Sequence, residues 1–432
     1  MKVKRSVLPQ FQGPWPGKSE YSRKLSITAG VLQGSASSTS LFMAYTSDII
    51  NIFRTHFPSE EIIHCFHILL HADDSLILAT SKTSLIAKFR KLDEYCIENN
   101  IKLQLGKCCF LAINSNDKSN IILGRGVIKN KNEFVYLGST ITDDGNASSD
   151  LKSEIKQKEK KFNKFFAFIT QNRNAPLEVK EKVLESCIIS TVLYNCESWG
   201  NANLENLEKK YRQALKYMLG VSRYTCNEFP YVELGKPTLK SIVYKRQLKF
   251  YKDCIIDKDF PMQRYIIRQA LDSNCPFIRH YVQLSSKYNT ADEITEKSLI
   301  EMQNSIKRKA DADHSRYQSY LEMNPSLMRP NVYNRYVPTY KLSLVSRLRM
   351  VSHDLQVEKG RRQKNRIPKE QRLCSCGEIE DEKHFIMNCS NYSHIRHKYT
   401  ELQTLTFHEQ LDNLRTPELI HELYQCRDIY LL

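Results

Sequence analysis

Two constellations in this chain of 432 residues combine residue types and spacings that could do chemistry. The first is Asp73-Asp74, set between the apolar runs Ile68-Leu69-Leu70 and Leu76-Ile77-Leu78. Such runs read as buried strands, with the aspartates at the bend of the hairpin between them. Adjacent carboxylates repel each other and resist burial unless a cation neutralises them. A hard divalent ion such as magnesium is held in this way, by one or two carboxylates together with substrate phosphates. The plainer alternative is an acidic turn, since Asp favours turns for backbone reasons alone. The second constellation is Cys374, Cys376, His384 and Cys389, a C-x-C-x7-H-x4-C pattern. Three thiolates and an imidazole suit tetrahedral zinc. The C-x-C spacing is tighter than the usual C-x2-C, and Gly377 lets the turn behind it close. His384 and Cys389 stand five apart, so a straight helix would not align them, and the helix must start or bend between them. His394 and His397 are alternative fourth ligands. The plainer alternative is a set of unrelated cysteines in a small helical domain.

Composition narrows what such groups could serve. A net charge of +16 and a pI near 9.1 favour polyanionic partners, nucleic acid ahead of a membrane surface, over a merely soluble basic exterior. The 41% apolar content suffices for cores, and the length suits two or three domains. No run of about 18 uninterrupted apolar residues occurs, so no membrane span is expected. Met1-Lys2-Val3-Lys4-Arg5 is basic but leads into no secretory apolar core. Thirteen scattered cysteines, an odd number, argue for reduced thiols inside the cell, in the nucleus or cytoplasm, rather than for secretion. Most of them, Cys187 and Cys196 among them, read as small core residues.

The elements that must position these groups follow from periodicity. Residues 1–29 are basic, contain Gly13-Pro14-Trp15-Pro16-Gly17, and read as an irregular arm. A helix with Leu85, Phe89, Leu92 and Cys96 on one face should follow the aspartate hairpin, then strands near Lys102 to Ile113 and Glu133 to Ile141. After the turn at Asp143-Asp144-Gly145, Ser149 or Asp150 can cap a helix with Leu151, Ile155, Phe162, Phe165, Phe166 and Ile169 inward. Lys152, Lys156, Lys158, Lys160, Lys161 and Lys164 form its other face, which could track phosphates or be merely solvated. Pro176 starts a helix with Val183, Leu184, Cys187, Ile188 and Val192 inward. Leu204, Leu207, Tyr211, Leu215 and Met218 mark the next, closed by Gly220. A fourth carries Leu239, Ile242, Val243 and Leu248 inside and Lys240, Lys245, Arg246, Lys249 and Lys252 outside. Residues 265–358 read as a polar helical connection. Lys359, Arg361, Arg362, Lys364, Arg366, Lys369 and Arg372 make a basic run, able to bind nucleic acid, to serve nuclear import, or to be a solvated linker.

A third motif gives the aspartates a context. In Gly30-Val31-Leu32-Gln33-Gly34, followed by Ser38 and Leu41-Phe42, Gly34 permits close approach of the backbone to a ligand, and Gln33 and Ser38 offer hydrogen bonds. This loop, followed by Ala72-Asp73-Asp74, resembles the palm of reverse transcriptases of the non-LTR (LINE-like) retrotransposon type. Leu105-Gly106-Lys107-Cys108 resembles the lysine segment of that family. Phe134-Val135-Tyr136-Leu137-Gly138 is similar to its primer-gripping hairpin, Leu193 to Trp199 to its thumb, and Cys376 to His384 to its C-terminal knuckle. The resemblance implies an α+β fold: a partial palm of antiparallel strands with helices (30–143), an α-helical thumb (144–264), and a zinc-knuckle-like domain behind the basic run (359–432). It implies magnesium on Asp73, with Asp74 beside it, and zinc on Cys374, Cys376, His384 and Cys389. Gly30, Gln33, Gly34 and Ser38 would face nucleotide and template, and Lys107 the departing pyrophosphate. Phe134, Tyr136, Leu137 and Gly138 would hold the primer end. Partners would be an RNA template, a DNA primer or target, and deoxynucleoside triphosphates. Two departures stand out. His71 occupies a position usually aromatic in that family. No Asp precedes Asp48, whereas such a palm needs a carboxylate on a strand before the loop, and the fingers that precede this strand are also missing. The expectation is therefore a 5′-truncated RNA-directed DNA polymerase, inactive alone, with a non-catalytic nucleic-acid-binding protein as the alternative.

Overall fold

The apolar runs flanking Asp73 and Asp74 form paired strands, β1 (Ile68–His71) and β2 (Asp74–Ile77). In the computed structural model the described residues are 37–56, 68–124, 126–144, 147–256, 261–273, 276–312, 314–334 and 336–430. The chain divides into two compact units, Met1–Asp150 and Leu151–Leu432.

In the first unit, α1 (Ser38–Tyr45) and α2 (Ile49–His56) precede the β1–β2 hairpin. Helix α3 (Lys82–Glu98) is capped by Ser81, whose hydroxyl accepts from the Ser84 amide. It buries Phe89, Leu92 and Cys96 as the spacing predicts, with Leu85 half-buried, and adds Tyr95. These side chains share one core with Ile49 and Phe53 of α2, Ile68 of β1 and Ile77 of β2. The buried Lys88 reaches from α3 to Leu78 O, fixing the strand end behind the aspartate hairpin. The strand expected across Lys102 to Ile113 contracts to β3 (Cys109–Phe110), preceded by a 3-10 turn at Leu105–Lys107. An unforeseen hairpin follows, β4 (Ile121–Leu123) and β5 (Gly126–Asn130). β5 pairs in parallel with β3, so this sheet departs from the antiparallel expectation. A third, separate sheet is the antiparallel pair β6 (Glu133–Tyr136) and β7 (Ser139–Thr142).

The second unit is helical. The long helix foreseen from residue 149 is two helices, α4 (Ala147–Glu159) and α5 (Phe162–Gln171), broken at Lys160-Lys161. Lys158, seven residues after Leu151 and three after Ile155, falls on the inward face of α4: it is buried, ion-paired to Glu154 at 3.0 Å, and lies 4.9 Å over the Trp199 ring, so it leaves the expected solvent face. Helix α6 (Leu177–Val183) continues into a wide π turn over Leu184–Ile189. That turn spends an extra residue per revolution. Leu184, Ile188 and Ile189 therefore point inward, while Cys187, expected in the core, is exposed. Helix α7 (Glu205–Met218) ends as foreseen at Gly220, whose φ of 69° accompanies Val221 N–H to Lys216 O and Gly220 N–H to Tyr217 O. Helices α8 (Leu239–Ile256), α9 (Ala291–Asp311), α10 (Thr339–Arg349), α11 (Gln356–Arg362) and α12 (Thr416–Tyr430) follow, with further helices between. A large core runs through this unit, from Phe162 and Leu215 to Leu348, Phe385 and Leu423. At its centre Arg349, 1% exposed, makes two hydrogen bonds to Glu233 at 3.0 and 3.2 Å, and Tyr320 and Asn324 also donate to that carboxylate. None of the described helices is long and apolar enough to cross a membrane.

Candidate functional site

The register of β1 and β2 pairs His71 with Asp74 and leaves Ala72-Asp73 as a two-residue turn. Buried Ile68 and Ile77 anchor the base of this hairpin in the core. Ala72 has φ of 51°, a left-handed conformation that costs a residue with a Cβ roughly 1–2 kcal/mol. Strain of this kind persists only where surrounding structure enforces it, and it collects at functional sites. Its effect here is to present Asp73 exposed at the tip while Asp74, half-buried, opens β2.

A second tight hairpin lies within electrostatic reach of Asp74. In β6–β7, Tyr136 pairs with Ser139 across Leu137-Gly138, both with positive φ (47° and 85°), which suits the right-handed twist of the strands. Burial pushes the Tyr136 hydroxyl above its ordinary pKa, and the negative charge of Asp74 raises it further. The acidic hairpin and the aromatic hairpin thus share one electrostatic environment. Phe134 and Leu137 are half-buried and Gly138 is exposed. Lys107 is exposed at the end of the 3-10 turn, which packs on β5. Ser38 is the first residue of α1. Gly30, Gln33 and Gly34 lie outside the described residues. Hard carboxylate oxygens at Asp73 and Asp74 fit a magnesium ion. Two carboxylates do not bracket two ions, which in-line phosphoryl transfer between clamped oxygens requires. Asp48, the nearest earlier aspartate, is engaged by the Tyr95 hydroxyl at 2.6 Å.

The second constellation converges fully. One ligand atom from each of Cys374, Cys376, His384 and Cys389 lies within 4.8 Å of the others. Cys374 Sγ and Cys389 Sγ are 3.6 Å apart, and Cys376 Sγ and His384 Nε2 are 3.2 Å apart. Sulfurs about 2.3 Å from a tetrahedral zinc stand about 3.8 Å from each other, so the spacing fits that ion. The chain builds the cradle locally. A bridge between Leu373 and Ile379 closes the cysteine loop, Cys374 N–H donates to Glu378 O, and Gly377 turns with φ of 96°. The spacing problem between His384 and Cys389 is solved by a π turn, His384–Asn388, in which Cys389 N–H bonds to His384 O. Five residues of α-helix would rotate by about 500° and point the two ligands apart; the wider turn brings them together. His394 lies instead beside Cys426, at 4.0 Å, and His397 is exposed. Burial pushes the Cys389 thiol up to about 12, with Cys374 beside it adding to the rise.

Buried charges join this knuckle to the helices. Glu380 accepts from Arg427 of α12 at 2.7 and 3.0 Å and from Gln356 N–H at 2.6 Å. His353, 1% exposed, donates from Nε2 to Glu382 at 2.7 Å, because its Nδ1 accepts the Leu355 N–H. Burial alone would raise the Glu382 carboxyl, but His353 outweighs it and holds the group below its ordinary range. These partners are missed by sequence reasoning, since a lone His353 or Arg427 carries no motif. The basic run is also divided by the fold. Arg361 is held by Glu358, Arg362 by Asp354 and His353 O, and Arg372 by Ile367 O and Val357 O. Lys359, Lys364, Arg366 and Lys369 remain exposed.

Residues 3–141, about a third of the chain, match the family model described as reverse transcriptase (RNA-dependent DNA polymerase). The aspartate hairpin and the Tyr136 hairpin both fall inside that stretch, which supports an RNA-directed DNA polymerase domain there. No curated protein matches the chain.

Proposed function

We propose that this chain derives from the polymerase of a non-LTR retrotransposon. On this reading residues 30–143 are a palm, 144–264 a helical thumb, and 359–432 a zinc-bearing knuckle behind a basic segment. The observation that carries the reading is the pair of tight hairpins, one presenting Asp73 and Asp74 and the other Tyr136, electrostatically linked and both within the stretch similar to reverse transcriptases. Asp73 and Asp74 would hold magnesium, which supplies charge neutralisation for 3′-hydroxyl attack on a triphosphate. Tyr136, Phe134 and the Leu137-Gly138 turn would seat the primer end beside those carboxylates. Lys107, with Gln33, Gly34 and Ser38, would face the incoming nucleotide. Cys374, Cys376, His384 and Cys389 would hold a structural zinc with no open position, so its contribution is to folding rather than to chemistry.

Residues 1–29 contain no aspartate, so the carboxylate that would complete the metal clamp is missing from the part of this chain where it belongs. The chain alone should therefore bind a primed RNA template and extend it at background rate. The test is magnesium-dependent primer extension by the full chain beside Asp73→Ala, with binding measured in parallel. Robust extension abolished by Asp73→Ala would overturn the incomplete-clamp argument. Absence of binding to primer–template would overturn the polymerase derivation of the function. A second reading, a non-catalytic nucleic-acid-binding protein, is favoured by the net charge of +16 together with the assembled cysteine–histidine cluster. It predicts binding that weakens steeply with salt and is indifferent to Asp73→Ala.

A further inference from the structure

Helix α8 carries a stripe that belongs to neither constellation. Two hollows flank it, one of about 570 Å³ toward Asn195–Ser198 and one of about 370 Å³ toward α9. Arg246 and Lys249 line both, so they form a cationic ridge between two concavities. They are three apart on one helix and therefore adjacent on its surface. Among the described residues no carboxylate lies within ion-pair distance of either; Asp292, whose carboxyl Lys249 also helps to hold down, pairs directly with neighbouring Lys245 at 2.5 Å, and Arg246 also acts on the buried Cys196 thiol. The Arg246 guanidinium donates to Leu193 O at 3.3 Å. The lining of the first hollow includes Phe250, which is 42% exposed; that of the second includes Ile242, Leu299 and Pro237. Carboxylates line the hollows too, Glu197 and Asp253 in one and Glu296 in the other, and Lys245 also lines the second.

We propose that this ridge binds single-stranded nucleic acid, with one phosphate on Arg246 and Lys249 and a nucleoside in each hollow. The proposal rests on the reading that the chain handles nucleic acid, and adds a strand site on α8 separate from the Asp73–Asp74 hairpin. Charge fixes the register. Glu197, Asp253 and Glu296 each line one hollow, where they repel phosphate and accept base amino protons, while Arg246 and Lys249 are shared by both and attract the phosphate between. Hollows of a few hundred Å³ suit one base and sugar each. Phe250 offers a ring on which any base can stack, which makes the site tolerant of sequence. A duplex keeps its bases stacked inside and would leave both hollows unused, so the site selects an unpaired strand.

The experiment uses the full chain and a short fluorescent single-stranded oligonucleotide, titrated over a range of salt, with the thermal transition of each variant checked against the parent. Lys249 and Phe250 are exposed, so Lys249→Ala and Phe250→Ala leave the core untouched. Arg246→Gln keeps a donor toward Leu193 O. Lys249→Ala and Arg246→Gln should each weaken binding and reduce the salt slope, by about 0.7 for each phosphate that is no longer neutralised. Phe250→Ala should weaken binding about fivefold or more with the salt slope unchanged, because stacking releases no counterions. An oligonucleotide carrying 5-iodouridine should crosslink to Phe250. If the parent binds the strand but these variants match it and the crosslinks fall elsewhere, the α8 site is refuted while the nucleic-acid reading stands. If the parent binds no strand at all, both fall. If an acidic peptide displaces the strand and loses affinity with the same substitutions, the ridge is a protein-docking site and the proposal is overturned.

Discussion

Replacing Arg427 by methionine removes the cation from a pair shut off from water: Glu380 is 3% exposed and Arg427 4%. The wild-type carboxylate receives Arg427 Nε at 2.7 Å and Nη2 at 3.0 Å, with Gln356 N–H at 2.6 Å. Nη2 also donates to Asp354 O at 3.1 Å. With the arginine gone, Glu380 keeps one backbone donor for a buried negative charge. Breaking a buried pair from one side costs about 3–5 kcal/mol, and methionine recovers only part of that by filling the volume. Glu380→Met should cost a similar amount by stranding the guanidinium. The double variant strands neither charge. It leaves the Gln356 amide and the Asp354 carbonyl unsatisfied and should cost about 1–3 kcal/mol, well below the sum of the single changes. Urea unfolding of the full chain, followed through Trp199 fluorescence in a Trp15→Phe background, reads the unit that contains the pair; Trp199 is 2% exposed there. Single variants costing under about 1 kcal/mol, or a double variant as costly as the sum, would refute the claim that this pair holds the knuckle to α12.

Three further outcomes follow from particular contacts. The purified chain should carry one zinc per molecule by native mass spectrometry; Cys389→Ser or His384→Ala should lose it and lower the thermal transition, whereas His394→Ala should keep it. Burial holds the His280 imidazole below its ordinary pKa, with Lys240 adding to this, and its Nε2 donates to Gln247, whose amide is committed to Cys196 O and Gly200 O. The unfolded chain then binds the proton first as pH falls through about 6.5, so stability should decline below that pH, and the decline should be shallower in His280→Gln. A thiol reagent on the native chain should label Cys187 rapidly and spare Cys196, which is fully buried and whose thiol is pushed up to about 12 by that burial. Equal labelling would refute the π turn at Leu184–Ile189.

Local pattern made much of the fold legible. The face of α3 through Phe89, Leu92 and Cys96, the stop at Gly220 and the stripe of α8 each follow from helical periodicity and a glycine able to take positive φ. The position of Asp73 and Asp74 at a hairpin bend follows from two apolar runs separated by a turn. Residue types alone also named the Cys374, Cys376, His384 and Cys389 set as a candidate metal cradle. Tertiary structure decided the rest. It chose Cys389 over His394 as the fourth member of that set, by winding the residues between His384 and Cys389 as a π turn that ideal helical spacing does not contain. It turned Cys187 outward, since a wide turn changes the angle between successive residues, and it buried Lys158 by giving its ammonium Glu154 and the Trp199 ring as neighbours. It left five of the seven cations in the basic run exposed and tied Arg361, Arg362 and Arg372 to neighbouring groups. The approach of Tyr136 to Asp74, and of Arg427 to Glu380, joins residues tens of positions apart. Periodicity reports only which face of an element is apolar. Which two faces meet is settled by packing the whole unit, where each buried charge must find its partner among everything else that is buried.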